Sequence, residues 1–320
     1  MKQLTLVSLL MLSAPVWVSA SAPIDLWQTN FKNGRFPSGI TTAALSEAQP
    51  IKERYKNGYT EDGWIVKVLG KAYCALSPTS TGVNTPVENV LNIPAVTLPD
   101  EAEGAIVRWT ARSVLPGMPE AYEVRVRIED SDTWQVLCRI DEEQDVLTTH
   151  IAHLDEYAGQ KIELQFACVS VNRYMLAVGE IYVGIPSAPL LTGQNPTPRF
   201  AENASPRDVE FSVFGSMLNC GAEITEGSKL AVRSEGEDFS VWPVTQAVKT
   251  GEILDFNIPF EAPDNATTAY EVVLIAPDGN EYQVMKSAVT PSGFARNLLV
   301  DEGTGIWCNN CPEGILEIAR

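Results

Sequence analysis

The chain has 320 residues, with 41 acidic and 23 basic side chains and a formal net charge of −18. A chain of this length exceeds what one hydrophobic core usually organises, so two domains are expected. The negative charge, with no basic stripe, argues against nucleic acid and anionic membrane surfaces as partners, and six cysteines are too few for a disulfide-built scaffold.

The first residues have the pattern of an export signal. Lys2 precedes a mostly apolar run from Leu4 to Val18, and Val18-Ser19-Ala20 supplies the small residues of a cleavage site. The apolar run contains Pro15 and is shorter than the roughly 20 residues of a spanning helix. We therefore predict a signal peptide over residues 1–20, an exported protein, and no transmembrane span after signal cleavage.

Residues 24–184 are predicted to form a β-sandwich. Apolar and polar side chains alternate with period 2, as in a strand that has one face on a core and one in water. The residues predicted to face the core are Tyr122, Val124, Val126 and Ile128, then Trp134, Val136, Cys138 and Ile140, then Ile162, Leu164, Phe166 and Cys168. Short turn-rich links join these stretches, and no long helical pattern precedes residue 300.

The two predicted sandwiches contain few candidates for metal or thiol chemistry. His150 and His153 are the only histidines and lie near Asp155, but residues three apart on an extended segment face opposite sides. We therefore predict no metal site. Cys74, Cys138, Cys168 and Cys220 are interpreted as buried apolar residues. A disulfide between Cys138 and Cys168 requires neighbouring strands, which the sequence does not decide.

A linker and a second sandwich are predicted next. Residues 185–207 are rich in proline, serine, threonine and asparagine and lack periodicity. Residues 208–292 show about seven short alternating stretches, which favours an immunoglobulin-like sandwich. Its clearest element is a hairpin, since Asp278-Gly279 lies between the alternating runs 270–275 and 282–285. The predicted fold class is therefore all-β, with two successive sandwiches.

The C-terminal segment 293–320 carries a redox-type Cys-x-x-Cys, formed by Cys308 and Cys311. Cys308 would lie before a helix N-terminus, which favours the thiolate and makes it the attacking sulfur, with Cys311 as the resolving thiol. Half a zinc site is the competing interpretation, but no second ligand pair lies nearby. Only nine residues follow Cys311, so we expect a truncated, inert or partner-dependent tail.

Several blocks of the first body resemble the cleaved-adhesin, or choice-of-anchor J, jelly-roll domain. They are Asp62-Gly63-Trp64 and residues 88–96, 122–124, 154–162 and 179–183. The resemblance implies a jelly roll similar to galactose-binding sandwiches, found on exported bacterial surface proteins. Where the family often has an Asp-Asp pair before the last strand, this chain has Gly179-Glu180, which argues against a calcium site by analogy.

The stretch from Val300 to Gly314 resembles the start of the thioredoxin-like domain of a Bacteroidetes outer-membrane-protein family. Some members of that family have an adhesin-like sandwich and an immunoglobulin-like domain before the thioredoxin-like domain. The resemblance implies a protein of the periplasm, outer membrane or cell surface. It also implies that segment 293–320 is the truncated beginning of a thioredoxin-like domain.

Two functions are compatible with these features. The first is a non-catalytic exported binding or adhesion protein that meets a carbohydrate or an envelope protein and needs no cofactor. The aromatic residues considered for stacking on a sugar, with core packing as the alternative, are Trp27, Tyr55, Tyr59 and Trp242. The second is a thiol-disulfide oxidoreductase of the cell envelope, with Cys308 and Cys311 catalytic only if the thioredoxin-like domain is completed. We favour the first.

Overall fold

The computed structural model describes residues 24–55, 58–193, 211–260 and 268–289. These ranges consist mainly of antiparallel strands, with two single-turn 3₁₀ helices at Lys52–Arg54 and Asp155–Tyr157 and no α-helix. The predicted all-β fold class is confirmed. Within the same ranges, no helix has the length and apolarity to cross a membrane. The predicted signal peptide and segment 293–320 lie outside the described residues.

The described chain divides into two compact units. One comprises residues up to Pro189 together with Cys220–Glu223, and the other comprises Leu190–Asn219 and the residues from Ile224 onward. The strands of the first unit are β1 Ile24–Thr29, β2 Thr41–Ala44, β3 Ile65–Leu69, β4 Ala72–Pro78, β5 Asn89–Asn92, β6 Val96–Thr97, β7 Ile106–Ser113, β8 Tyr122–Ile128, β9 Gln135–Ile140, β10 Thr148–His153, β11 Lys161–Cys168 and β12 Met175–Ile185.

These strands form two sheets. In the back sheet the order is β10-β7-β12-β4-β3, with β1 also paired to β12. In the front sheet the order is β2-β5-β11-β8-β9, with β6 also paired to β11. Apolar residues of both sheets form one core, which includes the large side chains of Trp64, Trp109 and Phe166. The first unit is therefore a two-layer sandwich.

The predicted inward faces of β8 and β11 are confirmed except at Ile128, the last residue of β8, which is 45% exposed. Tyr122, Val124 and Val126 in β8 are fully buried, as are the alternate apolar residues of β11 from Ile162 to Cys168. The intervening residues of β8, such as Arg125, point away from the core. Because successive side chains of a strand point to opposite sides, the alternation alone identifies both faces.

The prediction for β9 is wrong at Val136. A β-bulge lies between β8 and β9, where Cys138 pairs with Val124 but Val136 pairs with Arg125. The extra residue, Leu137, shifts the alternation by one position. Cys138 and Ile140 therefore pack against the core, whereas the Val136 side chain lies beside Arg125 and is 53% exposed.

The Cys138–Cys168 disulfide does not form. Both side chains face the core as predicted, but β9 and β11 lie on opposite sides of β8. Strands β9 and β11 are therefore two interstrand spacings apart, about 9.6 Å. A disulfide requires Cα atoms within about 7 Å of each other. Cys74, Cys138 and Cys168 are free thiols.

Glu120, just before β8, is a carboxyl group buried in this unit. Its Oε1 accepts hydrogen bonds from Thr79 Oγ1 at 3.0 Å and from the Tyr174 backbone N–H at 2.8 Å. Its Oε2 is buried without a hydrogen-bond partner among the described residues. Burial raises the pKa of Glu120, and the surrounding hydrogen-bond donors offset this effect only in part.

We expect Glu120→Gln to stabilise the protein near pH 7 by about 1 kcal/mol, the scale of a poorly satisfied buried polar group. The raised pKa means that the folded state binds the Glu120 proton more tightly than the unfolded state does. Wild-type stability therefore falls as the pH rises from the ordinary carboxyl pKa through the folded value. Glutamine keeps an acceptor oxygen and does not ionise, so the advantage of the variant should grow with pH.

Urea unfolding between pH 4 and pH 8 measures this difference in the free energy of unfolding. Glu101→Gln, which changes an exposed carboxyl group, serves as the control and should give no pH-dependent difference. An advantage of Glu120→Gln that stays constant over this range, or a loss of stability at pH 7, would contradict the expectation.

The second unit is a smaller sandwich. Its strands are β13 Leu191–Gly193, β14 Phe211–Asn219, β15 Lys229–Ser234, β16 Glu237–Pro243, β17 Ile253–Phe260, β18 Thr268–Ile275 and β19 Glu281–Val289. One sheet has the order β13-β14-β17 and the other β16-β15-β18-β19, and apolar residues of both sheets share one core. This two-sheet arrangement agrees with the sandwich that the sequence predicts.

Two local features of the second unit bear on the sequence predictions. β18 and β19 form the predicted hairpin, with Gly279 at a φ of 87° in the turn. Strand β13 lies within residues 185–207, for which the sequence predicts a linker, and pairs with β14. Residues 194–207 of that stretch lie outside the described residues.

Candidate functional site

The outward side of the front sheet carries an ordered row of polar side chains. Thr41 in β2 pairs with Asn92 in β5, Asn92 pairs with Gln165 in β11, and Gln165 pairs with Arg125 in β8. All four residues alternate with core positions, so their side chains lie side by side on the outward side of the sheet, where Gln165 is buried among its neighbours. The row crosses four adjacent strands.

Hydrogen bonds join the members of this row to one another. Asn92 Nδ2 donates to Thr41 Oγ1 at 3.1 Å, and Gln165 Nε2 donates to Asn92 Oδ1 at 2.8 Å. Arg125 Nη1 donates to Gln165 Oε1 at 3.2 Å. Each amide therefore accepts from one neighbour and donates to the other, which holds all of these side chains in one orientation.

Arg125 also joins the row to a group of carboxylates. Its Nε donates to Glu123 Oε2 at 2.7 Å, and its Nη1 donates to Glu88 Oε1 at 2.9 Å. The second carboxylate oxygen of Glu123 pairs with Arg139 in β9. The Arg125 and Glu123 side chains are only 16% and 11% exposed. Burial lowers the pKa of Arg125, but the hydrogen bonds to Glu88 and Glu123 outweigh it, so the net shift is upward.

Trp134 adds an aromatic ring to the same surface. The guanidinium carbon of Arg127 lies 4.6 Å from the centroid of the Trp134 ring, and Arg127 Nε donates to Glu163 Oε2 at 2.6 Å. Arg127 lies on the outward face of β8, two residues from Arg125. This contact holds the half-buried indole ring against the sheet beside the polar row.

We call this surface the polar face. Its members share an outward position on or next to the front sheet and belong to one of two groups of hydrogen bonds, ion pairs and ring contacts, one around Arg125 and one around Arg127. They are Thr41, Glu88, Asn92, Glu123, Arg125, Arg127, Trp134, Arg139, Glu163 and Gln165.

All four aromatic residues predicted as sugar-stacking candidates pack in or against a core cluster. Trp27 and Trp242 pack against the cores of the first and second units. Tyr55 is buried, and its hydroxyl donates to the Tyr174 carbonyl oxygen at 2.6 Å. Tyr59 is half-buried in a cleft, with Lys52 Nζ 5.7 Å from its ring centroid.

Sequence reasoning missed Trp134, because simple alternation assigns it to the core. The available signal was the charged outer face of β8, where glutamate and arginine alternate with the apolar core positions. A strand that exposes such side chains needs partners for them on neighbouring strands. The identity of those partners required the sheet register.

The two histidines point to opposite sides of β10, as the sequence predicts. The His150 ring stacks on Trp109 with a centroid distance of 5.5 Å, and its Nε2 lies 2.9 Å from Glu143 Oε2. His153 is exposed and lies 3.4 Å from Asp155. In the part of the chain that the structure describes, no group of three or more His, Cys, Asp or Glu residues could hold a metal ion.

The Thr110 hydroxyl occupies the space that a side chain at Gly179 would need. A Cβ atom at this position would lie 2.4 Å from Thr110 Oγ1, which accepts a hydrogen bond from the Glu180 N–H at 3.0 Å. The aspartate expected there from the resemblance would therefore require the Thr110 side chain to move. Cys308 and Cys311 lie outside the described residues, so their redox role stays a prediction.

Comparison with known proteins gave no family model and no curated protein that matches the chain. Among solved structures, the K1 cleaved adhesin domain of Lys-gingipain from Porphyromonas gingivalis W83 is similar at 16% identity, with a TM-score of 0.36, over 49% of this chain and 96% of that domain. The K3 domain of the same protein gives 14% identity and a TM-score of 0.37, over 50% and 98% of the two chains.

The C-terminal family 22 carbohydrate-binding module of Clostridium thermocellum Xyn10B gives 7% identity and a TM-score of 0.35, over 51% of this chain and 96% of that module. The two-layer fold of the first unit follows from the strand pairing of this chain itself.

Proposed function

We propose that this chain is an exported, non-catalytic binding protein that binds a carbohydrate on the polar face. The observation that carries the proposal is the hydrogen-bonded row Thr41–Asn92–Gln165–Arg125, which crosses four strands and continues into the ion pairs of Glu123. Polar side chains that only keep a sheet soluble do not have to be fixed in one orientation by hydrogen bonds to one another.

The chemistry of this face fits saccharides. A sugar presents closely spaced hydroxyl groups, each of which donates and accepts hydrogen bonds. Guanidinium groups supply donors in a fixed fork, whereas carboxylate and amide oxygens supply acceptors. The Trp134 ring and the exposed Val136 side chain offer apolar surface to the C–H side of a sugar ring.

The shape of the face favours an extended ligand. Five adjacent strands, β2-β5-β11-β8-β9, span about 19 Å at ~4.8 Å for each interstrand spacing. Such a surface suits a chain of several sugar units better than a single small molecule enclosed in a pocket. Because the side chains are already held by one another, binding orders few additional rotamers, which lowers the entropic cost.

In this proposal the second sandwich is a spacer, and an envelope protein is the alternative partner. Export is part of this proposal because a signal peptide is predicted for residues 1–20. The alternative function, a thiol-disulfide oxidoreductase of the cell envelope, depends on Cys308 and Cys311 and stays a prediction, since no observation on the described residues favours it.

A binding screen with one test variant and one control variant tests the proposal. We expect the mature chain to be retarded by at least one neutral polysaccharide in affinity electrophoresis. Trp134→Ala should weaken that binding about tenfold, because the apolar platform beside the polar row is lost. Phe214→Ala, which removes an exposed aromatic ring of the second unit, should leave the affinity unchanged.

Thermal unfolding of both variants, followed by circular dichroism, shows whether they remain folded. The proposal fails if no polysaccharide of a broad panel retards the wild-type chain. It also fails if folded Trp134→Ala binds as tightly as the wild type.

A further inference from the structure

A concave surface separate from the polar face lies where the chain leaves β1, in the loop that leads to β2. This basic cleft, formed by residues 28–38, has a volume of about 510 Å³. Its charged lining residues are Lys32 and Arg35, and none of the residues that line it is a carboxylate. Both cations are exposed to solvent.

The charge of this cleft differs from that of two other clefts in the same unit. The cleft around Tyr59 combines two lysines with three carboxylates, and the cleft around Gly117 has three carboxylates and no cation. In a chain of net charge −18, a concave surface with two cations and no acid is electrostatically distinct. No ion pair of Lys32 or Arg35 occurs within the described ranges.

The loop that carries the two cations is anchored at both ends. Phe31 is buried in the core of the first unit and contacts Phe36 edge to face, with ring centroids 6.1 Å apart. Between them, the Gly34 N–H donates to the Phe31 carbonyl oxygen at 2.9 Å, and the Lys32 N–H donates to Asn30 Oδ1 at 3.1 Å. The cations are thus presented by a closed turn.

Backbone strain also occurs at this loop. Phe31 has a φ of 54°, a left-handed conformation that is costly for a bulky side chain. Burial of the Phe31 ring holds the residue in this conformation, and strain of this kind is concentrated at functional sites. Gly34, at φ 68°, lies close to the ring of Tyr73, where an added Cβ would be 3.1 Å from the ring carbon Cε1.

We propose that the basic cleft is an anion subsite that takes an oxyanion, a carboxylate or sulfate group, carried by a saccharide. Arg35 can hold such a group through two parallel N–H donors, and Lys32 adds a point charge. The amide side chains of Gln28, Asn30 and Asn33 also line the cleft and can bind the neighbouring hydroxyl groups. This site uses none of the residues of the polar face.

The test uses trigalacturonic acid as the anionic probe and galactotriose as the neutral probe, at 150 mM NaCl. In ¹⁵N–¹H spectra of the mature chain, trigalacturonic acid should shift the amide signals of residues 28–38 saturably, and galactotriose should not. The double variant Lys32→Gln/Arg35→Gln should bind trigalacturonic acid with an affinity at least tenfold lower than that of the wild type. Lys249→Gln, an exposed lysine of the second unit, should have no effect.

Sodium sulfate distinguishes the two oxyanions. Competition by sulfate, beyond that of sodium chloride at equal ionic strength, assigns the subsite to oxyanions in general, and no competition assigns it to carboxylates. Equal affinity of the double variant and the wild type, or no saturable shift with trigalacturonic acid, would overturn the proposal.

The tests of the basic cleft and of the polar face give independent results. Arg125→Ala should leave the binding of trigalacturonic acid intact, and the double variant should leave the binding of neutral polysaccharide intact. Failure of one site therefore does not imply failure of the other.

Discussion

Replacement of Arg125 by alanine should lower the affinity for the bound polysaccharide about a hundredfold, equivalent to about 2.8 kcal/mol. Arg125 is the residue at which the amide row and the carboxylates meet, since its guanidinium group contacts Gln165, Glu123 and Glu88. Without it, the Gln165 amide loses a donor to its oxygen and the shared orientation of the row is lost. Isothermal titration calorimetry with the polysaccharide found in the screen measures the effect.

Arg233→Ala is a matched control for this variant. Arg233 lies in β15 of the second unit, its side chain is 16% exposed like that of Arg125, and it pairs with Asp238 and Glu281. We expect Arg233→Ala to bind polysaccharide as the wild type does. Because lysine keeps the charge but not the planar fork, Arg125→Lys should show an intermediate loss.

Two results would contradict the assignment of the polar face. One is an unchanged affinity in folded Arg125→Ala. The other is an equal loss in Arg125→Ala and Arg233→Ala, which would point to a general effect of arginine removal. Thermal unfolding of each variant separates a loss of binding from a loss of folded protein.

The second large effect is expected in the core of the first unit. Trp109 Nε1 donates to the Tyr122 hydroxyl oxygen at 2.9 Å, and this hydroxyl donates to Glu143 Oε2 at 2.8 Å. All three side chains are buried. Tyr122→Phe should therefore lower the free energy of unfolding by about 3 kcal/mol, since it leaves an indole N–H and a carboxylate oxygen short of a partner.

Equilibrium urea unfolding at pH 7 measures this change. Tyr73→Phe removes the hydroxyl of a tyrosine that is 38% exposed, and it should change the free energy of unfolding by less than about 0.5 kcal/mol. A loss below about 1 kcal/mol in Tyr122→Phe would mean that the buried groups do not depend on this hydroxyl.

The sequence identified the faces of the regular strands. In β8 and β11 each apolar residue at every second position is buried, from Tyr122 to Val126 and from Ile162 to Cys168. The hairpin turn at Gly279 was equally predictable, because a positive φ at a glycine is a local property. These features depend on the backbone of one segment and need no knowledge of its neighbours.

The bulge in β9 is a feature that alternation within one strand cannot predict. A single extra residue at Leu137 turned Val136 away from the core. Nothing in the local alternation marks such an insertion, because a bulge is defined only by two strands together. The prediction that placed Trp134 in the core failed for this reason, and with it the aromatic part of the candidate site was missed.

The sequence by itself determined that this protein is built from two-sided strands and which side of most strands meets water. Only the tertiary structure decided that Thr41, Asn92, Gln165 and Arg125 stand in one row and that residues 28–38 enclose a basic cleft. The physical reason is that side-chain alternation is a property of each strand's own covalent geometry. Which residues become neighbours on adjacent strands depends instead on the register between segments that are distant in the chain. This register is set by the packing of the whole core.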